Sequence, residues 1–347
     1  MSEHPAFEPS PNREEFLRRL NDTTHFIRPK HPINASTVTN KRLIKLGLPP
    51  RPNKRVDPLG WELWWEFFSP EVEFLKGEFT LSAIATKLRH YRETRQVFSS
   101  HDETSANWSG AYITPDHGRR FKDIHGRWRV PAVKPPTQGP LDPSGVYHSS
   151  VFIGLDGQRR YAADSLPQIG TRQEIDAAGA GTRYETWWEW FARGDGSWPT
   201  QMPLQVKAGQ RVKCWITVIS PTKVRFMMRN LETRFAIAFH HSPPLPADPA
   251  LFPGVTAEWV VERPTDKFGV LATLPDYCHV SFHQCIATAD GATGGPKYHD
   301  LTGARLIRMM ERRYSPWRAK LISEPRRIPN PPFVEKKSFR VDYRSGT

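Results

Sequence analysis

The chain has 347 residues, of which 38% are hydrophobic and 12% aromatic, so a substantial core can form and wholesale disorder is excluded. Its 33 prolines and 23 glycines favour many short connections over long helices. The formal net charge is +13, and residues 305–347 hold 12 Lys/Arg against 4 Asp/Glu. Because no nucleic-acid-binding motif accompanies this basic end, we interpret it as a solvated surface and expect no nucleic-acid partner.

Three cysteines do not make a disulfide framework, and the chain lacks the apolar run of roughly 18 residues that crosses a membrane. The first residues contain no apolar stretch suited to a signal peptide. By sequence alone we therefore expect a cytoplasmic protein with no membrane partner. We also expect a monomer.

Residues 1–104 differ in pattern from the rest of the chain. Helical spacing of apolar residues predicts short helices at Arg13–Leu20, Gly60–Phe68 and Thr80–Glu93. Between the first two lies a proline-rich linker, LPPRPN at Leu48–Asn53. We interpret residues 1–104 as a small helical, proline-rich N-terminal region.

From Ser105 onward the pattern changes to strands and turns. Apolar and β-branched runs bounded by Gly, Pro, Asp or Asn predict strands at Val151–Leu155, Tyr184–Phe191, Gln205–Val218, Val224–Leu231, Val255–Val261, Gly269–Leu274, Tyr277–Ala287 and Phe339–Tyr343. Strands this numerous at short spacing predict an all-β domain over residues 105–347, folded as a two-sheet antiparallel β-sandwich.

Four segments contain the candidate catalytic and substrate-binding residues. In chain order they are NWSGAY at Asn107–Tyr112, FIGLDG at Phe152–Gly157 followed by LPQIGT at Leu166–Thr171, YETWWEWF at Tyr184–Phe191, and AEWVVE at Ala257–Glu262. Alternation along the third segment puts Glu185, Trp187 and Glu189 on one face, which suits a cleft better than a core. Glu258 is a carboxylate among apolar strand residues, so we expect its pKa to be raised toward values useful for proton transfer.

These segments, in this order, resemble the glutamic peptidases, also called the eqolisin family, whose fold is a concanavalin A-like sandwich. The resemblance implies an endopeptidase in which Gln168 and Glu258 form the catalytic dyad. It further implies that the cleft around the dyad binds substrate through Trp108, Phe152, Asp156, Glu185, Glu189 and Phe191. The chain departs from the family pattern at three of these positions, because members usually carry tryptophan, aspartate and tyrosine where this chain has Phe152, Glu185 and Phe191.

The chemistry of the two residues agrees with the implied roles. A glutamate can take a proton from water as the water attacks a peptide carbonyl, and then deliver it to the leaving amine. A glutamine amide keeps its donor at any pH and can hold the water and stabilise the developing oxyanion. Such a hydrolase acts on a polypeptide substrate, works best in acid by the family resemblance, and requires no metal or cofactor.

Three other functions remain to be weighed. Aromatic clefts on lectin-like sandwiches bind sugars without chemistry, and the candidate stacking residues are Trp108, Trp187, Trp188, Trp190 and Trp198. Strand alternation puts His279, Ser281, His283 and Cys285 on one face, which we expect to face solvent, and these side chains are candidate ligands for a zinc ion. A serine hydrolase is disfavoured, because no GxSxG motif is present.

Residues 1–104 occupy the position of the family's propeptide. Family members are generally secreted, in contrast to the cytoplasmic expectation above. Two hypotheses stand equally for this region: a basic propeptide that blocks the acidic cleft and is released in acid, or a permanent appendage that packs against one sheet.

Overall fold

The computed structural model describes residues 13–81, 95–96, 102–137, 145–158, 165–179, 181–192, 199–220, 222–242, 253–264, 271–290, 296–311, 319–326 and 336–344. Its helices are α1 (Arg13–Thr23), α2 (Asn40–Lys45) and α3 (Pro58–Phe68). The strands before Trp108 are β1 (Thr24–Phe26), β2 (Ile33–Asn34), β3 (Glu71–Phe74), β4 (Thr80–Leu81), β5 (Arg95–Gln96) and β6 (Asp102–Ser105).

The remaining strands, with their connections, make up the β-sandwich. They are β7 (Trp108–Ile113), β8 (Arg120–Arg129), β9 (Val146–Leu155), β10 (Ser165–Asp176), β11 (Thr182–Ala192), β12 (Thr200–Gln201), β13 (Arg211–Ser220), β14 (Lys223–Asn230), β15 (Phe235–His241), β16 (Ala257–Glu262), β17 (His279–Asp290), β18 (Lys297–His299), β19 (Arg305–Glu311), β20 (Lys320–Pro325) and β21 (Phe339–Tyr343).

Two sheet layers face each other, and the all-β sandwich prediction is confirmed. The front sheet has the order β4–β12–β11–β10–β9–β16–β7–β19–β6–β5. The back sheet has the order β1–β15–β14–β13–β8–β17–β21. The layers are continuous at one corner, because β20 pairs with both β19 and β21.

Alternation along each strand divides the side chains between the core and an outer face. The core contains Ile153, Ile169 and Trp259 from the front sheet, packed with Ile216 and Phe226 from the back sheet. The Trp259 indole also donates to the backbone oxygen of a back-sheet residue, His125, at 2.8 Å. Burying each of these large apolar side chains contributes about 1.5–3 kcal/mol, so the two sheets are held mainly by this shared core.

Helices α2 and α3 of the N-terminal region pack on the outer face of the back sheet. Leu43, Trp64 and Phe67 from the helices form a second apolar cluster with Trp215 and Met227 of the back sheet. The edge strand β15 is extended by β1, antiparallel, and by β3, parallel. Helices α2 and α3, together with β3, therefore form a third layer, while β1, β4 and β5 extend the two sheets.

Ion pairs reinforce this third layer. Three cationic side chains lie side by side on neighbouring strands of the back sheet: Arg127 on β8, Lys213 on β13 and Arg229 on β14. Because like charges on directly opposite strand residues repel, this arrangement destabilises the sheet unless counter-charges are present. Glu66 of α3 binds both Arg127 and Lys213, with 2.8 Å to the lysine nitrogen. Arg229 donates to the carbonyl of Phe67 at 2.5 Å, at the carboxyl end of α3, where the helix dipole is negative.

Several predicted elements differ from the observed ones. The helix expected over Thr80–Glu93 lies outside the described residues except for Thr80–Leu81, which form β4. The strand expected over Gln205–Val218 begins only at Arg211, because Gly209 turns the chain at φ +81°. No strand forms over Ala272–Leu274 within the expected Gly269–Leu274. None of the described helices is long and apolar enough to span a membrane.

The expected alternation along β17 is wrong at its centre. Gln284 has φ +51°, and the register with β8 shifts between His283 and Ile286. This bulge turns Cys285 into the core, where it is fully buried, while His279 and His283 stay exposed. The described residues contain no group of three or more His, Cys, Asp or Glu side chains placed to hold a metal ion.

Candidate active site

Gln168 and Glu258 lie on the same outer face of the front sheet, in one row across the strands. Gln168 on β10 pairs directly with Gly154 on β9, and Gly154 pairs directly with Glu258 on β16. Side chains that lie directly opposite in neighbouring strands point to the same face. Two strand spacings separate the Cα atoms of Gln168 and Glu258 by about 10 Å, which two long side chains and a water can span.

Gly154, which lies between the two residues in the row, places no side chain of its own between Gln168 and Glu258. A Cβ atom there would meet Leu166 Cδ1 at 2.6 Å and would lie 3.6 Å from Gln168 Cβ. It would therefore project on the same face as the Gln168 side chain. The position over this glycine, which was not predicted as a site residue, lies between Gln168 and Glu258 in the row, and we call it the gap.

Glu189 continues the row on the other side of Gln168. It lies directly opposite Gln168 on β11, and Gln168 Nε2 donates a hydrogen bond to Glu189 Oε2 at 3.1 Å. Gln168 Oε1 is buried and has no hydrogen-bond partner among the described residues. Gln168 and Glu258 are completely shielded from solvent, and Glu189 is 2% exposed. Charges in this row therefore interact in a low-dielectric setting.

A row of aromatic side chains lies next to the Gln168–Glu258 row. Phe152 packs edge-on against both Trp108 and Trp187, with ring centroids 5.6 and 5.8 Å away. These three belong to an apolar cluster on the outer face that is separate from the core, and Phe191 packs against it. The predicted substrate-binding residues Trp108, Phe152 and Phe191 are thus gathered beside the dyad candidates.

Glu185 is on the same face, but its carboxylate forms an ion pair with an arginine. Arg172 lies directly opposite on β10, and its guanidinium is 3.5 Å from the Glu185 carboxylate and 4.5 Å from the centre of the Trp187 ring. Burial lowers the pKa of Arg172, while the carboxylates of Glu185, Glu189 and Glu262 act in the opposite direction. Glu185 stands four residues, about 13 Å, from Glu189 along β11. It therefore lies in a different row from Gln168 and Glu258.

Glu262 lies in the same row as Glu185 and Arg172, because both Arg172 and Glu262 pair with Ser150 on β9. Trp108 Nε1 and Asn107 Nδ2 donate to the same Glu262 oxygen at 3.0 and 3.2 Å, which fixes the Trp108 ring. The sequence analysis missed both Arg172 and Glu262 as site residues. Each follows a dyad residue by four positions, so alternation alone would have placed them on the cleft face.

The row that contains Gln168 and Glu258 continues onto β7 and β19 with a third group of residues that was not predicted. Tyr112 lies directly opposite Glu258, and its hydroxyl donates to Glu103 Oε1 at 2.6 Å. Arg305, opposite Tyr112 on β19, has its guanidinium 3.6 Å from that same oxygen. Tyr112 follows Trp108 by four residues, so the same alternation pointed to it.

Asp156 has a different position from the one expected. Its carboxylate accepts hydrogen bonds from the backbone amides of Gly254 and Val255 at 2.9 and 2.7 Å. Asp156 is fully buried with φ +65°, and burial raises its pKa to about 6 against the effect of these amides. Because both oxygens bind backbone, Asp156 holds the loop before β16 in place and does not offer its carboxylate to a substrate.

The described tryptophans among the candidates for sugar binding do not form a common platform. Trp188 and Trp190 point into the core between the sheets, on the opposite side from Trp187. Trp108 and Trp187 are buried in the cleft floor, and Trp198 lies outside the described residues. The lectin-like alternative therefore loses its stacking surface.

Solved structures share this architecture. Scytalido-glutamic peptidase, crystallised with a peptide-based transition-state analogue, is similar over 69% of this chain and 98% of that chain, with 17% identity and a TM-score of 0.50. Aspergilloglutamic peptidase from Aspergillus niger is similar over 57% of this chain and 99% of that chain, with 21% identity and a TM-score of 0.43. At 17% identity, the first of these two structures shows a common fold, and no curated protein matches the chain.

The sequence match is more specific than the structural one. It covers residues 106–317, more than half of the chain, and includes every dyad-row and aromatic residue described above except Glu103. These residues match the sequence profile of the Peptidase A4 family, so the chain belongs to this family of glutamic-type endopeptidases.

Proposed function

We propose that the protein hydrolyses peptide bonds with Glu258 as general base and acid, and with Gln168 as oxyanion stabiliser, in acid. The observation that carries the proposal is the placement of Gln168 and Glu258 on either side of Gly154. A water held in the gap would lie within reach of both side chains. Glu258 takes its proton during attack on the peptide carbonyl and returns it to the leaving amine.

The surroundings of the pair support a polypeptide substrate. The Trp187 indole N–H is buried and has no hydrogen-bond partner among the described residues, so it is available to a backbone carbonyl of a peptide. The apolar floor formed by Phe152 and its neighbours suits an apolar side chain. Phe191 in place of a tyrosine removes one hydroxyl from this surface, which bears on substrate preference rather than on the reaction.

The experiment is digestion of a denatured protein substrate between pH 2 and 7. Glu258→Ala should abolish cleavage, because the only base and acid is lost, and Gln168→Ala should leave at most a trace. The matched control is Glu174→Gln, which changes a carboxylate on the same face of β10 that pairs with His148 and Arg183 and stands away from the gap. Full activity of either dyad variant would refute the assignment, as would inhibition by a metal chelator.

We also propose that the N-terminal region is a permanent layer of the enzyme rather than a propeptide that leaves. The support is the shared apolar cluster with Trp215 and Met227 and the contacts of Glu66 and Arg229 across this boundary. Removal of this layer would leave the cations of the back sheet without counter-charges. Moreover, β6 spans the domain boundary expected at residue 104 and pairs with β19 of the front sheet.

A further inference from the structure

The Gln168 amide has two chemically different ends, and its neighbour selects between them. An ionised carboxylate can only accept hydrogen bonds, so an ionised Glu189 binds the nitrogen end of the amide. The observed bond from Gln168 Nε2 to Glu189 Oε2 is this arrangement. Because the amide is planar, Oε1 is then turned to the opposite side, toward the gap over Gly154.

This orientation is the wrong one for stabilising an oxyanion. An oxyanion in the gap needs an N–H donor there, whereas Oε1 presents only lone pairs. A protonated Glu189 has an O–H donor, which can donate to Gln168 Oε1. The amide then turns by half a rotation and directs Nε2 to the gap.

We propose that Glu189 is the positioning residue of Gln168, and that its protonation state determines which end of the amide faces Glu258. This inference rests on the proposed function of the dyad. It assigns the two limbs of a bell-shaped pH profile to different residues. Glu258 must be ionised to act as base and sets the acid limb, while Glu189 must be protonated and sets the alkaline limb.

The charges around Glu189 act in both directions. The cation Arg172 on β10 favours the ionised carboxylate, and its interaction with Glu189 is electrostatic. Neighbouring carboxylates favour the protonated form, since like charges in a buried site do not all ionise. The other described charged groups that share this face are listed here by strand: Glu185 and Arg183 on the same strand, Glu174 on β10, His148 on β9, Glu258 and Glu262 on β16, and, beyond Tyr112, Glu103 on β6 with Arg305 on β19.

Glu189→Gln tests the assignment by activity. A glutamine at 189 can donate to Gln168 Oε1 at every pH, so it mimics the protonated glutamate. Wild-type kcat should fall about tenfold per pH unit above the pKa of Glu189, whereas the variant should stay within about threefold across the same range and keep the acid limb. Glu189→Ala should lower kcat at all pH values with little change in KM, and Glu174→Gln should keep both limbs. A Glu189→Gln variant that retains the wild-type alkaline limb would overturn the proposal.

A second measurement does not depend on activity. In protein labelled with ¹⁵N-glutamine, the Gln168 side-chain amide resonance is assigned by its loss in Gln168→Ala. Over the pH range of the alkaline limb, where Glu258 stays ionised, this resonance should shift in one titration step in the wild type and remain constant in the Glu189→Gln variant. A resonance that titrates in both proteins, or in neither, contradicts the proposal. If no peptide hydrolysis occurs at any pH, the proposed function fails while this measurement still decides the amide orientation.

Discussion

Adding one methyl group at Gly154 tests the geometry of the site most directly. The Gly154→Ala methyl would enter the gap between Gln168 and Glu258, 3.6 Å from Gln168 Cβ. Its worst contact is with Leu166 Cδ1 at 2.6 Å, which is the end of a flexible side chain. We therefore expect a modest loss of stability, about 1–2 kcal/mol.

The expected loss of activity is much larger than the loss of stability. Displacing the water or either side chain by about 1 Å costs on the order of 100-fold in rate, equivalent to about 2.7 kcal/mol of transition-state stabilisation. The assay is kcat/KM on a peptide substrate at the optimal pH, divided by the folded fraction from urea titration. Gly154→Ala combined with Leu166→Val relieves the clash, so it should recover stability but not activity.

The matched control is Gly126→Ala, which adds a methyl group on the core side of the sandwich. There a Cβ atom would meet Ile153 Cγ2 at 2.5 Å and the Trp259 ring at 3.1 Å. This variant should lose stability, about 1–3 kcal/mol, but keep its activity per folded molecule. A Gly154→Ala enzyme with more than half of the wild-type activity would refute the placement of the reacting water in the gap.

Three further predictions concern pH, the third layer and processing. Burial raises the pKa of Asp156 from 3.8 to about 6, so the folded state keeps a proton that the unfolded chain loses between pH 4 and 6. Stability should fall with rising pH across that window by up to about 3 kcal/mol. Asp156→Asn, which tolerates the positive φ and resembles the protonated acid, should flatten the slope in urea titrations, and an unchanged slope would show that another group causes it. Glu66→Gln should lower the free energy of unfolding at pH 7 by about 2–4 kcal/mol, because buried Lys213 loses its counter-charge. Burial lowers the pKa of Lys213 to about 8, so this cost should shrink above pH 8, and a constant cost up to pH 10 would contradict the ion-pair explanation. After brief acid incubation, mass spectrometry of the size-exclusion peak should find residues 24–81 still with the sandwich. A fully active sandwich that elutes without them would show that this layer is a removable propeptide.

Strand alternation made much of the fold and part of the site predictable. The side-chain period of two is a local property, so it correctly placed Glu185, Trp187 and Glu189 on one face of β11 before any strand pairing was known. The helix at Gly60–Phe68 was equally local, with Asp57 accepting from Gly60 N at its start. The same rule failed on β17, because the bulge at Gln284 depends on the fit to β8 rather than on the sequence of β17 alone.

Strand neighbours were decided only by the tertiary structure. Gln168 and Glu258 are 90 positions apart in the sequence. The local sequence around either residue does not predict that β9 lies between their strands, or that Gly154 is the β9 residue that pairs with both. Likewise, Asp156 looks like a cleft residue in FIGLDG, yet the amides of a loop about 100 residues away occupy its carboxylate. By itself, the sequence determined which residues share a face of the regular strands, such as β10, β11 and β16, because backbone geometry sets that repeat. The tertiary structure decided which of those faces meet, because long-range pairing depends on the packing of the whole core.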